Sequence, residues 1–377
     1  MMRILLALLS GCMLYAAAAA QTPAPAPSTP TPTPTPTPEA HLIDEIGSHA
    51  ELMPNLEWLC DDIGARLTGS PQLQAAQQWA MARLRAYGAV GLRDMWGGPR
   101  SLFDRHAAIV TREHANLLKR LLARGIVPRV ELELKGDFDA RPALAHNVVA
   151  DSPGSAGSDV AGEMVVLGAH LDAWDLGAGA ADNGSGVVAM LEVLRAWHAL
   201  GLRPKRTLRI VLFSGEEQGL LGSRAYVAAY RDELERIQAV LVQDTGSGRV
   251  TGFPDMRNEA WYAALTKAVA PAAALGPLDV QYGPAGGSDF EPFVNAGVPA
   301  FPALQDERDY RSLTQHSQVD AVDHVDRAGL TQAAQVLAVV AWGLANGGAP
   351  ALSSSGGSNG GGSGGNGEVN AWAGLSE

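Results

Sequence analysis

The chain has 377 residues, 46% of them hydrophobic, which is enough apolar side chain for one large α/β domain or two smaller ones. Its 28 Lys and Arg against 40 Asp and Glu leave a formal net charge of -12 with no long basic run, an unfavourable balance for a nucleic-acid partner. Of the two cysteines, Cys12 falls in the N-terminal apolar segment, so Cys60 has no partner for an internal disulfide and stability must come from the core and from any bound metal.

Arg3 precedes the apolar run Ile4 to Leu9, and Ala16 to Ala20 ahead of Gln21 supply small residues for cleavage. Residues 1–20 therefore read as a signal peptide, and the protein as periplasmic or secreted. The run is too short for a spanning helix, which needs about 20 apolar residues. A lipoprotein signal in Leu9-Ser10-Gly11-Cys12 is the alternative, and it would bring the chain to a membrane through lipidated Cys12. Residues 21–39 alternate Thr-Pro and Ala-Pro, the composition of an extended, semi-rigid linker. Residues 40–346 form the folded domain. Residues 347–377, nearly all Gly and Ser from Ser353 to Gly367, read as a disordered tail.

Within the domain, apolar periodicity predicts helices at Leu42 to Asp61, Pro71 to Tyr87, Arg112 to Ala123, Gly186 to Leu200, Leu220 to Ile237, Asn258 to Val269 and Arg327 to Leu344. Short apolar runs predict strands at Arg129 to Leu134, Asn147 to Ala150, Met164 to Leu167, Thr207 to Phe213, Ala239 to Gln243 and Ala300 to Leu304. Helices alternating with apolar strands predict an α/β fold, a mixed, mostly parallel central sheet with helices on both faces.

The chemistry-bearing residues stand at the ends of these runs, where open α/β sheets put their sites. Glu216 and Glu217 follow the strand Thr207 to Phe213. His170 and Asp172 follow Met164 to Leu167, and Asp182 lies in the glycine-rich Ala-Ala-Asp-Asn-Gly-Ser-Gly. Asp244 ends Ala239 to Gln243, and His316 sits in a late loop, Gln-His-Ser-Gln-Val-Asp. A glutamate pair after a strand is by itself ordinary at a helix N-terminus, and His41, His49, His106, His114, His146 and His198 read as packed or surface residues. The ordered recurrence of His-x-Asp, Asp, Glu-Glu, Asp and His is what points to a site. Two histidines, two aspartates and a glutamate suit two zinc ions bridged by one carboxylate. Asp182 would bridge, His170 and Asp244 would complete one ion, and Glu217 and His316 the other. Glu216 is left as the general base for a water shared by the ions, and Asp172 as acceptor of the second ring N–H of His170. The reaction class is metal-assisted amide hydrolysis.

The stretch Val165 to Val227, with His-Leu-Asp-Ala-Trp-Asp, Ala-Asp-Asn-Gly-Ser-Gly and Gly-Glu-Glu-Gln-Gly, resembles the zinc aminopeptidases of metallopeptidase family 28, nearest to the plasma glutamate carboxypeptidase (carboxypeptidase Q) branch. The likeness continues through Gly286, Gly287, Ser288 and Asp289 to His316, Ser317 and Asp320. The resemblance implies the zinc-dependent exopeptidase fold, which is phosphorylase/hydrolase-like, and makes residues 40–346 the catalytic domain. It implies His170, Asp182, Glu217, Asp244 and His316 as ligands, Glu216 as base, and a peptide or dipeptide with a free end as substrate. It also prefers His316, in its His-Ser-x-x-Asp setting, over His324 as the last ligand.

Two departures stand out. Branch members carry an inserted protease-associated domain where this chain has only a short bridge, Met95 to Asp104, and Phe290 occupies a position where many of the wider family have histidine. A single-zinc glutaminyl cyclase and a non-catalytic binding module on the same fold remain alternatives, and a homodimer stays open.

Overall fold

A computed structural model describes residues 36–99, 112–131, 144–155, 157–347 and 350. The chain divides into two units, Met1–Pro36 and Thr37–Glu377, and the elements below belong to the second. The expected signal peptide, Cys12, nearly all of the linker and most of the Gly/Ser tail lie outside the described residues.

Helix α1 (Pro38–His49) starts earlier than its periodicity suggests and takes in the last two linker residues. Thr37 Oγ1 accepts the Ala40 amide, Pro38 fills the first turn and Glu39 faces the helix N-terminus, a combination that nucleates a helix before the apolar face begins. The single helix expected over Leu42 to Asp61 is broken. Ala50 is extended and α2 (Leu52–Glu57) runs on into a π-helical turn, Trp58–Ile63. The cause is Pro54, whose ring would meet the carbonyl of Ala50 in a continuous helix. At the break, the Glu51 amide donates to buried Glu192, which also holds Arg195.

Next come α3 (Pro71–Ala86), capped by Ser70 Oγ on the Leu73 amide, then β1 (Val90–Pro99) and α4 (Arg112–Ala123). β1 corrects the reading of Met95 onward as a bare bridge; the bridge's later residues lie outside the described set. Gly91, Gly97, Gly98 and Pro99 interrupt any alternation, and such residues are tolerated at a sheet edge, where β1 lies. Residues 129–131 of the strand expected at Arg129 to Leu134 are irregular, and its remainder is outside the described residues.

The remaining elements are β2 (Leu144–Ser152), β3 (Met164–His170), α5 (Ser185–Ala199), β4 (Thr207–Phe213), α6 (Leu221–Ala229), β5 (Ile237–Val242), β6 (Val250–Pro254), α7 (Glu259–Val269), β7 (Asp279–Gln281), α8 (Glu291–Asn295), β8 (Ala300–Pro302), β9 (Leu304–Gln305) and α9 (Arg327–Asn346). The helix expected over Leu220 to Ile237 ends at Ala229 and continues as a 3-10 turn, Arg231–Arg236. The strand expected over Ala300 to Leu304 splits at Ala303 between two sheets.

The main sheet has the order β1-β2-β4-β3-β5-β8. β4, β3, β5 and β8 are parallel, and β2 and β1 extend the sheet antiparallel, the mixed, mostly parallel arrangement expected. A second sheet, β7-β6-β9, stands beside it. Every residue of β3 is buried, because both faces are covered. Val165, Leu167 and Ala169 point into a core shared with α1, α5 and α9, while Met164 and Val166 point to a smaller core under α6 and α8. α9 is long and apolar enough to cross a membrane, but 83% of its apolar window is buried inside the protein, where it serves as a core helix.

Trp197 of α5 packs edge-to-face on Trp342 of α9 with ring centroids 5.3 Å apart, and is 1% exposed. Trp197→Ala is expected to cost about 3–5 kcal/mol by opening a cavity between the two helices, measured as a lower urea midpoint of the metal-free protein with unchanged far-UV circular dichroism before the transition. A loss under about 1 kcal/mol would mean that the helix pair is not packed as described.

Candidate active site

The parallel strands deliver the candidate ligands to one edge. His170 is the last residue of β3 and lies in register with Phe213, the last residue of β4. Beyond Phe213 the chain turns at Gly215 (φ +77°), and the glutamate pair follows. Asp244 comes two residues after β5. Asp182 lies in the π-helical turn Ala180–Gly184 that leads into α5, held there by Asn183, whose Nδ2 donates to the Gln243 carbonyl and whose Oδ1 accepts the Gly186 amide. His316 adopts a left-handed backbone (φ +53°), uncommon for a side-chain-bearing residue and frequent at functional sites.

Two groups result, and they share Asp182. His170 Nε2 is 3.2 Å from Asp182 Oδ1 and 3.0 Å from Asp244 Oδ1. His316 Nε2 is 3.0 Å from Glu217 Oε2 and 3.4 Å from Asp182 Oδ2. Within each group the ligating atoms lie within 4.8 Å of one another. A tetrahedral ion with bonds of 2.0–2.1 Å has ligand–ligand edges of about 3.3 Å, so both groups have the size of a zinc site. Glu217 Oε1 is buried without a hydrogen bond among the described residues, a cost that a cation would remove. His324, the competing histidine, belongs to neither group. It lines a cleft of about 460 Å³ together with Tyr310, Thr314 and Asp326.

Asp172 needs a correction. His170 Nδ1 donates at 2.9 Å to the backbone carbonyl of Asp172, not to its carboxylate, which lies 3.8 Å away. The carboxylate instead accepts the amides of Glu216 (3.2 Å) and Glu217 (3.3 Å) and the hydroxyl of Thr68 (2.8 Å). The tight turn after Gly215 turns two consecutive N–H groups toward one acceptor, and that geometry is invisible in a His-x-Asp spacing. The Asp172 carboxylate thus holds the backbone of the glutamate pair, and its carbonyl orients His170.

Other polar residues complete the site. Ser288 donates to the Asp244 carboxylate. The Asp320 carboxylate accepts the amides of Ala181 (2.6 Å) and Asp182 (3.0 Å), tying the His316 loop to the shared ligand. Burial, followed by the charges of Asp182, Asp244 and Glu217, pushes the Tyr310 phenol well above its ordinary range. Neither Tyr310, Arg66 nor Thr68 carries a sequence signal, since each acts from a segment with no motif or periodicity of its own.

Burial and crowding set the protonation. Burial pushes the Glu216 carboxyl well above its ordinary range, His170 opposes this, and Asp244, Asp289 and Glu217 add to it. Burial and Asp182 raise Glu217 to about 7. Burial also raises Asp289 to about 8 and Asp320 to about 7. His170 is disfavoured as a cation by burial, but Asp244 and Asp182 outweigh that and hold it well above its ordinary value. With Nδ1–H given to a carbonyl, the proton on Nε2 stands where a metal ion would sit.

All five candidate ligands and Glu216 lie inside the stretch 147–341, more than half of the 377 residues, that matches the model of Peptidase family M28. The chain belongs to peptidase family M28. It is 33% identical over 246 residues to Carboxypeptidase Q of Xenopus laevis, covering 63% of this chain and 50% of that protein. The chain thus spans about half the length of the curated relatives it matches. Among solved structures it resembles a Peptidase M28 precursor from Shewanella amazonensis (TM-score 0.69, 22% identity, 82% of this chain and 96% of that one). It also resembles the zinc aminopeptidase BSAP from Bacillus subtilis (0.58, 17%, 78% and 94%) and the glutaminyl cyclase of Porphyromonas gingivalis (0.55, 19%, 77% and 96%). These structural likenesses show the M28 fold.

Stability of the metal-free protein should depend on pH with a definite sign. Glu217, Asp289 and Asp320 keep protons in the folded state at pH values where the unfolded chain has lost them, and His170 keeps its own for the same reason. The contribution of the three carboxyls is complete below about pH 4 and is lost as pH rises through about 7 to 8, while that of His170 is complete below its ordinary range and is lost only well above it. Asp182 is held below its ordinary value and acts in the opposite sense only under strongly acid conditions. The thermal midpoint of metal-free protein is therefore expected to fall from about pH 6 to about pH 9 and to recover when zinc is added. A midpoint that climbs over that window would contradict the assigned burial.

Proposed function

We propose that this chain is a two-zinc exopeptidase, an aminopeptidase or dipeptidase acting at a peptide bond near a free N-terminus. The observation that carries the reading is the pair of three-ligand groups joined by Asp182, with the buried Glu216 carboxyl beside them. His170, Asp182 and Asp244 would hold one ion, and Asp182, Glu217 and His316 the other. When bound, zinc supplies Lewis acidity, polarising the scissile carbonyl and lowering the pKa of water toward neutrality.

The chain's own residues do the rest. Glu216 takes a proton from the attacking water and returns it to the departing amine, and burial raises its pKa above the usual carboxylate range, which strengthens it as the proton acceptor. Asp172 fixes the backbone of both glutamates, so Glu217 is spent on the metal while Glu216 stays free. The Asp172 carbonyl fixes the tautomer of His170, leaving Nε2 for the ion. Trp174, Gly179 and Ser317 border the small opening over the shared ligand, through which the scissile bond would approach. Export follows from the N-terminal segment and is part of the proposal.

Substitution separates these roles. Glu216→Gln is expected to keep both zinc ions, counted by plasma emission spectrometry, while kcat on a dipeptide falls at least roughly a hundredfold; near-normal turnover would remove Glu216 as the base. Asp182→Ala is expected to lower occupancy at both positions, since it serves both. Loss of one ion alone, with cyclisation of an N-terminal glutamine peptide and no dipeptide cleavage by the wild type, would favour the single-zinc cyclase reading.

A further inference from the structure

Arg66 is buried and lies in the irregular segment between the Trp58–Ile63 turn and α3, outside the stretch that matches the M28 model. Its guanidinium donates to backbone carbonyls: Nε to Leu171 (2.8 Å), Nη1 to Ala178 (2.7 Å) and Gly64 (3.2 Å), and Nη2 to Gly179 (2.9 Å). Its own carbonyl accepts the Ala173 amide at 3.2 Å. Three of these acceptors belong to the loop that separates His170 at the end of β3 from Asp182 in the turn before α5. Between the Leu171 amide, which still donates to the Phe213 carbonyl of β4, and the π-helical turn Ala180–Gly184, the loop is irregular and passes through left-handed positions at Leu176 (φ +30°) and Gly179 (φ +64°). A Cβ at Gly179 would come within 2.8 Å of Arg66 Nη2, so the guanidinium is seated directly against the loop backbone.

Two residues on, buried Thr68 donates its hydroxyl to Asp172 Oδ2, the carboxylate that gathers the Glu216 and Glu217 amides. One short segment therefore grips both halves of the site, the His170–Asp182 loop through Arg66 and the glutamate turn through Thr68. A planar fork with five donors can reach carbonyls on separate residues at once, whereas an ammonium offers its donors from a single point.

We propose that Arg66 and Thr68 are positioning residues of the metal centre. Arg66 sets the register of the loop joining His170 to Asp182, and Thr68, acting through Asp172, sets the backbone of the Glu216–Glu217 pair. The inference rests on the two-zinc exopeptidase reading. Neither residue touches the reacting atoms, so each acts through the groups it holds.

The test uses the full chain, with zinc affinity read by competition against a chromophoric chelator and dipeptide hydrolysis followed to separate kcat from KM. Arg66→Lys keeps the charge and loses the fork; it is expected to weaken zinc binding by roughly 10- to 100-fold, the scale seen when groups supporting metal ligands are removed. Thr68→Val is expected to lower kcat at least roughly tenfold and to weaken zinc binding at the Glu217 position, and Thr68→Ser, which keeps the hydroxyl, to restore both. A merely structural role would lower the unfolding midpoint and leave affinity and kcat of the folded protein unchanged. If Arg66→Lys does not fold, the Thr68 pair decides. Wild-type zinc affinity in folded Arg66→Lys, or equal kcat in Thr68→Val and Thr68→Ser, overturns the proposal. Failure of the wild type itself to bind zinc or cleave a dipeptide overturns the two-zinc reading instead.

Discussion

Charge crowding at the strand ends governs this molecule. Asp182, Glu216, Glu217 and Asp244 are gathered around two imidazoles in a site that excludes much of the solvent; Asp182 raises the cost of ionising Glu217 and Asp244, and those two raise the cost of ionising Glu216. Buried like charges persist only when protonated or when a cation is placed among them. The protons on His170 and on the carboxyls meet that need in the metal-free state. The ligand spacings, close to the edges of a small tetrahedron, point to the ions that would replace those protons.

The scaffold makes this crowding possible. Parallel strands β3, β4 and β5 end side by side, so residues distant in sequence emerge at one edge, and cores on both faces hold the strands against the strain of the charged cluster. Backbone groups do much of the orienting. The Asp172 carbonyl fixes one histidine, the Asp172 and Asp320 carboxylates each collect two amides, and Arg66 occupies the carbonyls of the loop between two ligands. Polar groups that would be costly if left unmade are spent on placing the ligands.

Much of the fold was legible because strong local signals coincide with what packing demands. Thr207–Phe213, apolar except for Thr207 and Arg209, is β4 to the residue; Arg112–Ala123 has an amphipathic period, and it is α4 to the residue. Where the signal weakens, tertiary context decides. β1 forms from a glycine-broken stretch because β2 offers an edge to pair with. The expected helix from Leu42 divides because Pro54 forbids continuity and Glu192 waits to receive the freed Glu51 amide.

The order and type of the site residues were determined by the sequence alone: His170, Asp182, Glu216, Glu217, Asp244 and His316 are of metal-binding and proton-transferring kinds, and their positions after apolar runs put them at one sheet edge. Which atoms meet was decided only by the tertiary structure. The pairing of His170 with a carbonyl, the capture of two glutamate amides by Asp172, and the grip of Arg66 and Thr68 depend on turn geometry and on contacts between segments more than a hundred residues apart. Residue spacing carries no information about such contacts, because they arise only when the chain has closed on itself.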